Sequence, residues 1–206
     1  MEVAPPAKRK VGRPKTLDRG HALRVALEGY WREGIYGMSL NEVCRRAKIA
    51  KPGLYREFGG EDGLMTAVLG LYEEQVLCRL WELLDSEYPV VNVFRGYVGG
   101  LIEQQGYPPG CLMAEMRMAP EQLGPETSAL LQRVVADLHK RLEVWVRRAQ
   151  ERGAINGAIE PKLAARHLDS QMLLVAIQAH RGGDPQHIRQ QVGLSLGCYL
   201  SEPLWS

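Results

Sequence analysis

The sequence predicts an all-α protein of about nine helices, in which an N-terminal module of three helices precedes a larger helical body. Apolar residues recur at helical spacing along most of the 206 residues, and no segment alternates convincingly between apolar and polar residues as a strand would. Glycine and proline divide this pattern, with breaks at 108–109, 124–125 and 182–183. A hydrophobic content of 45% is enough to build an apolar core.

Residues 1–17 are predicted to form a flexible basic arm ahead of the first helix. They contain three prolines and few large apolar residues, so we expect them to be disordered in the free protein. Their basic residues are Lys8, Arg9, Lys10, Arg13 and Lys15.

Residues 18–60 are predicted to form the three-helix module. Asp18 is a good N-cap residue, and the apolar residues that follow it recur with a helical period until Gly34 ends the pattern. This amphipathic stretch predicts a first helix that packs one of its faces against the rest of the module.

Two short helices are predicted to follow the first. Ser39 and Glu42 can form a capping box, in which each side chain satisfies an amide of the first turn, and this second helix should end near Ala47. Pro52 suits the first turn of a third helix, which Gly59 stops. Two short helices joined by a tight turn form a helix-turn-helix, whose second helix enters the major groove of DNA.

Residues 61–206 are predicted to form the larger body. A long helical pattern runs from Glu61 to about Asp85 and links the module to the body. Further helices are predicted at roughly 90–105, 109–119, 125–152, 161–181 and 184–200.

Charge is distributed unevenly along the chain, although the formal net charge is only +2. Residues 1–58 contain 13 Lys and Arg and 6 Asp and Glu, a formal charge of +7, whereas the remainder contains 13 and 18, a charge of −5. Phosphate contacts come from clustered Lys and Arg. We therefore expect the N-terminal part alone to meet a polyanion, with double-stranded DNA as the partner.

The residues from Ser39 to Phe58, which read SLNEVCRRAKIAKPGLYREF, resemble the TetR family of bacterial regulators together with Asp62 and Leu64. The Leu-Tyr-x-x-Phe core is the specific part of this resemblance. It implies a homodimeric transcriptional repressor that a small ligand releases from a palindromic operator. The DNA-contacting residues that it and the base-recognition rules suggest are Ser39, Asn41, Lys48, Lys51, Pro52, Gly53, Tyr55 and Arg56.

The roles of these residues differ. In the family, the positions of Lys51, Gly53 and Tyr55 touch DNA, because the ammonium and phenol groups hold phosphates and a small residue lets the helix approach closely. Arg56, Lys51 and Asn41 are candidates for contacts to or near base edges, since Arg matches guanine and Asn matches adenine.

Two positions depart from the family pattern. The family usually has Gly where Lys48 stands, so Lys48 is expected either in a left-handed conformation that costs about 1 kcal/mol or as an extra phosphate contact. The family commonly has Lys at the position of Glu61, where a carboxylate would repel phosphate.

The basic arm is a second candidate for a DNA contact. Its Gly12-Arg13-Pro14 segment resembles the core of an AT-hook, which lies in a narrow minor groove, although Val11 replaces a basic residue. Arg13 and Lys15 are therefore candidate contacts. A solvated tail without a DNA role is an equal alternative.

A pocket for a small-molecule effector is predicted in the body, around a short segment that contains three methionines after Pro109. The same residues could instead be ordinary core, and Cys111 could act as a redox or electrophile sensor if it is exposed and near a cation such as Arg117. The candidate lining residues are Trp81, Tyr97, Tyr107, Cys111, Met113, Met116, Arg117, Trp145 and Met172.

The last two predicted helices carry apolar stripes that end almost at the C-terminus. The resemblance implies that they pair with their copies in a four-helix interface of a homodimer. Periodicity alone would equally allow ordinary core packing.

Several classes of function are not favoured by the sequence. We expect no enzyme, because there is no Gly-rich phosphate loop, no H-E-x-x-H motif and no recognisable nucleophile setting. We expect no metal and no cofactor, because Cys44, Cys78, Cys111 and Cys198 lack zinc-site spacing. No apolar run could span a bilayer, which predicts a cytoplasmic protein without a membrane partner. A constitutive architectural DNA-binding protein is the remaining alternative, and a large preformed apolar pocket would count against it.

Overall fold

The computed structural model describes residues 17–103, 106–197, 199–201 and 203–205. These residues form nine helices, and the one β feature among them is an isolated antiparallel bridge between Ile155 and Leu200. The all-α prediction is confirmed. The helices are α1 (Arg19–Gly37), α2 (Leu40–Ala47), α3 (Lys51–Phe58), α4 (Glu61–Tyr72, continued by a π-helical turn at Glu73–Leu77 and by Cys78–Asp85), α5 (Val90–Ile102), α6 (Leu112–Met118), α7 (Pro125–Glu151), α8 (Pro161–His180) and α9 (Pro185–Leu196).

Helix α1 begins as its sequence pattern predicts and ends one turn beyond the predicted Gly34. The Asp18 carboxylate accepts a hydrogen bond from the backbone amide of His21 at 2.9 Å, which caps the first turn. Gly34 adopts a φ of 76°, which interrupts the regular helix at the predicted residue before one more turn reaches Gly37. Tyr30 and Trp31 lie fully buried on the inner face.

The helix-turn-helix is formed by α2 and α3. The Ser39 hydroxyl accepts a hydrogen bond from the Glu42 amide at 3.2 Å, so one half of the predicted capping box is present. The Glu42 carboxylate binds Arg45 and Arg46 instead of completing the box. Lys48 follows α2 in the left-handed conformation, with φ 56° and ψ 41°.

Helix α4 departs from the single regular helix that was predicted. Tyr72 and Leu77 are both buried, although residues five apart in a regular α-helix point about 140° away from each other. The π-helical turn at Glu73–Leu77 adds one residue to the turn and brings both side chains to the inner face.

The long helices α7 and α8 pack together in the body, and α4 lies between α7 and α1. One hydrophobic core extends from Ala22 in α1 to Leu196 in α9. Because α1 also packs on α6, the proposed module and body share this core, and the division of the chain at residue 60 stays a prediction. None of the helices in the described residues is long and apolar enough to span a membrane.

Asp62 fixes the start of α4 to the start of α7. Its carboxylate accepts hydrogen bonds from the amides of Glu126 and Thr127, each at 2.9 Å, and from the Thr127 hydroxyl at 2.6 Å. Gly124 makes this approach possible, because a Cβ atom there would lie 2.2 Å from the Asp62 carboxylate carbon. An acidic side chain of one helix thus caps the N-terminus of another.

Candidate nucleic-acid interface and internal cavity

Helix α3 presents one polar face to solvent and one apolar face to the core. Leu54 and Phe58 are buried and hold the helix in place. Tyr55 is 48% exposed, and the Lys51 ammonium lies 5.9 Å from the centre of its ring. Arg56 is exposed next to Tyr55, and in this regular helix it points about 140° away from Lys51, which is five residues earlier.

Gly53 lies on α3, and the packing of the protein does not require a glycine at this position. A Cβ atom at this position would meet only Leu17 Cδ1 within 4 Å, at 3.7 Å, which is an ordinary contact. The packing of the chain therefore accepts a side chain here. Glycine has no side chain, so another molecule can approach the backbone of α3 closely at this position.

The exposed cations of α2, α3 and the turn between them fall into two groups. Arg45 and Arg46 are engaged by the carboxylates of Glu42 and Glu33. Hydrogen bonds from Arg45 and then Arg46 lower the pKa of Glu42 to about 2, so this cluster is ionised at neutral pH.

A second group of cations is free to meet phosphate. Lys48, Lys51 and Arg56 are exposed, and none has a carboxylate within 4.0 Å in the part of the chain that the structure describes. Ser39 and Asn41 of the α2 N-terminus are exposed as well, and Pro52 completes the exposed start of α3. The predicted contacts Arg13 and Lys15 lie outside the described residues.

The body contains a cavity of about 510 Å³ between α4, α5, α6, α7 and α8. Its wall is mostly apolar, and its volume lies within the range of roughly 300–1,000 Å³ that is common for small-molecule sites. Six of the nine predicted pocket residues line it: Tyr97, Tyr107, Cys111, Met113, Arg117 and Met172.

The other three predicted pocket residues do not line this cavity, and their assignment is corrected. Trp81 lies on another face of α4, where the Arg141 guanidinium stacks over its ring at 5.0 Å. Trp145 packs edge-on against Phe94 at 5.4 Å, within the core of the body. Met116 is fully buried in the core.

A buried ion pair forms part of the cavity wall. Arg117 of α6 binds Asp169 of α8 through two hydrogen bonds, at 2.7 and 2.9 Å. The His139 Nε2 of α7 lies 2.9 Å from the same carboxylate. Burial by itself would raise the pKa of Asp169, but hydrogen bonds from Arg117 and His139 hold it below its usual range.

Cys111 lines the cavity but does not meet the conditions set for a reactive thiol. It is only 6% exposed, and its sulfur accepts a hydrogen bond from the Tyr72 hydroxyl at 3.0 Å. Burial raises the pKa of the Cys111 thiol, and this outweighs the opposite effect of Arg117. The thiol is therefore protonated at neutral pH.

The cavity wall is in direct contact with the first helix of the module. Trp31 of α1 stacks on Tyr107, with ring centres 5.4 Å apart, and meets Tyr72 edge-on at 5.0 Å. Both tyrosines line the cavity. A molecule that displaced either ring would press on α1.

Sequence reasoning missed all of the lining residues that α4 contributes. They share the inner face of this helix, and a single arginine within the apolar stripe was the available signal. These residues are Tyr72, Val76, Leu77, Arg79, Leu80 and Leu83.

The module matches the model of a family described as bacterial regulatory proteins, tetR family, over residues 22–68. The HTH-type transcriptional repressor ComR of Escherichia coli (strain K12) is 25% identical over 193 residues, which cover 92% of this chain and 92% of ComR. The reduced form of E. coli NemR has a similar structure, with a TM-score of 0.74 and 20% identity over 89% of this chain and 97% of NemR. A cysteine mutant of the TetR family transcriptional regulator CifR, complexed with 26bp double-strand operator DNA, gives a TM-score of 0.73 and 23% identity over 90% of this chain and 98% of CifR.

Proposed function

The chain belongs to the TetR family of bacterial regulatory proteins, and on that premise we propose that it is a homodimeric repressor that a small molecule releases from a palindromic operator. The observation that carries the proposal is the combination of an exposed basic face on α3 with a preformed cavity whose wall touches α1. A regulator needs both a surface that reads DNA and a site whose occupation changes that surface.

The DNA side of the proposal rests on α3. Lys51 and Tyr55 lie one turn apart on the same side of this helix, and Arg56 is exposed beside Tyr55, which suits a helix that enters the major groove and meets both of its walls. Lys51 and Tyr55 hold phosphates and set the register, and Arg56 reads a base edge. Gly53 lets the helix backbone approach the duplex.

The proposal of a homodimer is supported by apolar side chains of the last two helices that are exposed in the single chain. Leu163 and Leu174 of α8 are 61% and 43% exposed, and Leu194 of α9 is 83% exposed. Leu163 and Leu174 are eleven residues apart, which places them on one face of α8. Pairing of these helices with their copies covers the leucines. It also places the two α3 helices of the dimer at a separation that fits half-sites about 34–36 Å apart.

Coupling between the cavity and DNA runs through α4 and α1. Helix α4 packs against α1 and α7 and lines the cavity with Tyr72 and Leu80, rather than with Trp81 as the sequence predicted. Occupation of the cavity favours a different spacing of the two α3 helices. A coupling of about 3 kcal/mol weakens DNA affinity by about 150-fold.

Two other functions receive less support. A constitutive architectural DNA-binding protein has no use for a preformed apolar cavity of about 510 Å³. A thiol-based sensor at Cys111 needs an accessible thiolate, whereas this thiol is buried and its pKa is raised. Enzymatic activity is not part of the proposal, because the relatives are transcriptional regulators.

The experiment that tests the proposal is selection of bound fragments from random duplex DNA, followed by affinity measurements for the selected site at several salt concentrations. We expect a palindromic site bound by a dimer, with a steep dependence of affinity on salt. Weak binding that is salt-sensitive but enriches no sequence would favour the architectural alternative.

Single substitutions on α3 separate the proposed roles. Lys51→Ala and Tyr55→Phe should weaken binding about tenfold across most sequences, and Lys51→Ala should also reduce the salt slope by about 1. Arg56→Ala should relax selectivity at one base pair. Lys140→Ala, which removes an exposed cation of the body, is the matched control and should change neither quantity.

Competitive binding to single-base variants of the selected site measures these effects. If Lys51→Ala, Tyr55→Phe and Arg56→Ala reduced selectivity to the same extent, the division between phosphate and base contacts would be wrong.

A further inference from the structure

The carboxylates on the cavity wall are already occupied. Both oxygens of Asp169 are bound, one by Arg117 and the other by Arg117 and His139. Glu103 at the cavity edge is bound by Arg189 of α9. A cationic ligand would therefore have to break the ion pair at Asp169, which is costly because that carboxylate is buried, or displace Arg189 from Glu103, whose side chain is 65% exposed.

A cation on the same wall has no such partner. Arg79 of α4 lines the cavity, and no carboxylate of the described residues lies within 4.0 Å of its guanidinium. The guanidinium lies 5.6 Å from the centre of the Tyr107 ring, and Tyr107 is itself stacked on Trp31. A guanidinium held over a ring keeps the N–H donors in its own plane, which match the two oxygens of a carboxylate.

The rest of the wall is suited to an apolar group. Leucine side chains from four helices surround the cavity interior, and Met113 and Met172 add flexible thioether groups that adapt to different shapes. The leucines are Leu77, Leu80, Leu83, Leu101, Leu138 and Leu173.

We propose that the cavity binds an organic anion with an apolar aliphatic or aromatic body, whose carboxylate pairs with Arg79 while the body fills the space between α4, α5, α6, α7 and α8. The anion site does not depend on the proposed function. Only the statement that the bound anion releases the protein from DNA rests on it. The binding site itself follows from the Arg79 guanidinium, which has no carboxylate partner among the described residues, at an apolar cavity whose carboxylates hold other cations.

Three probes of equal chain length test the role of charge: octanoate, 1-octanol and octylamine. Calorimetric titration of the full-length protein should show the tightest binding for octanoate, with an affinity that falls as NaCl is raised from 0.05 to 0.5 M. The affinity for 1-octanol should be weaker and insensitive to salt. Octylamine should bind weakest, because it meets the Arg79 cation and carboxylates that already bind arginines.

The variant Arg79→Gln tests whether Arg79 binds the carboxylate of octanoate. Arg79 is exposed, so the substitution should leave the fold intact and lower the affinity for octanoate about fivefold, as for a solvent-accessible ion pair, without changing the affinity for 1-octanol. Arg147→Gln is the control, since this exposed arginine of α7 is not part of the cavity wall.

The possible results separate this inference from the proposed function. The inference is overturned if 1-octanol or octylamine binds as tightly as octanoate, if octanoate does not bind, or if Arg79→Gln weakens octanoate and 1-octanol equally. Binding of octanoate that depends on Arg79 but leaves the affinity for the selected DNA unchanged would support the anion site and contradict release by ligand. Release of DNA by 1-octanol alone would support the repressor and contradict the anion site.

Discussion

Replacing Gly63 with alanine is expected to lower the free energy of unfolding by about 3 kcal/mol. Gly63 lies in the first turn of α4, where a Cβ atom would stand 1.7 Å from the carbonyl oxygen of Phe58 and 2.9 Å from its carbonyl carbon. These are backbone atoms at the end of α3, so they cannot swing aside as a flexible side chain can. The corner between α3 and α4 would have to open.

The same substitution should also weaken DNA binding by the folded protein, because α3 is the proposed reading helix and its orientation depends on this corner. Gly70→Ala in the same helix is the matched control. A Cβ atom at Gly70 meets nothing within 4 Å, so alanine should stabilise the protein by about 0.5–1 kcal/mol through its higher helix propensity.

Urea unfolding followed by circular dichroism measures both changes. A Gly63→Ala protein as stable as the wild type would mean that the close contact between α3 and α4 is not a feature of the folded protein in solution.

Local chemistry explains why the helix ends could be predicted from the sequence. Asp18 and Ser39 act on amides within three residues of themselves, and Gly59 supplies the left-handed residue that ends α3, with a φ of 79°. The π-helical turn could not be predicted in this way. It depends on the burial of Tyr72 and Leu77 against the body, which residues far away in the chain decide.

The two candidate sites also differ in how far they could be predicted from the sequence. The exposed residues of α3 follow from one short helix, whereas the cavity requires the packing of five helices. Tyr107, in the loop between α5 and α6, lines it, whereas Trp145 of the long helix α7 does not. The partner of Arg117 is Asp169, 52 residues away, and nothing in either local sequence indicates this pair.

The ion pair between Arg117 and Asp169 leads to the second large effect. Arg117→Met should lower the free energy of unfolding by about 3–5 kcal/mol, because it leaves the Asp169 carboxylate buried without its bidentate partner. Arg133→Met is the control. It removes an equally close ion pair with Glu73 at 2.8 Å, but Arg133 is half-exposed, so the loss should stay below about 1 kcal/mol.

The effect of Arg117→Met should depend on pH in a defined direction. The pKa of Asp169 is lowered in the folded protein, so its ion pair contributes fully above the unfolded value of about 3.9 and is lost as the pH falls through the lower folded value. Urea unfolding at pH 7 and at steps down to pH 3 should therefore show the largest difference between wild type and Arg117→Met near neutrality and a smaller one below about pH 4. A difference that stayed constant or grew on acidification would mean that the lost stability comes from the packing of the Arg117 side chain and not from the charge of Asp169.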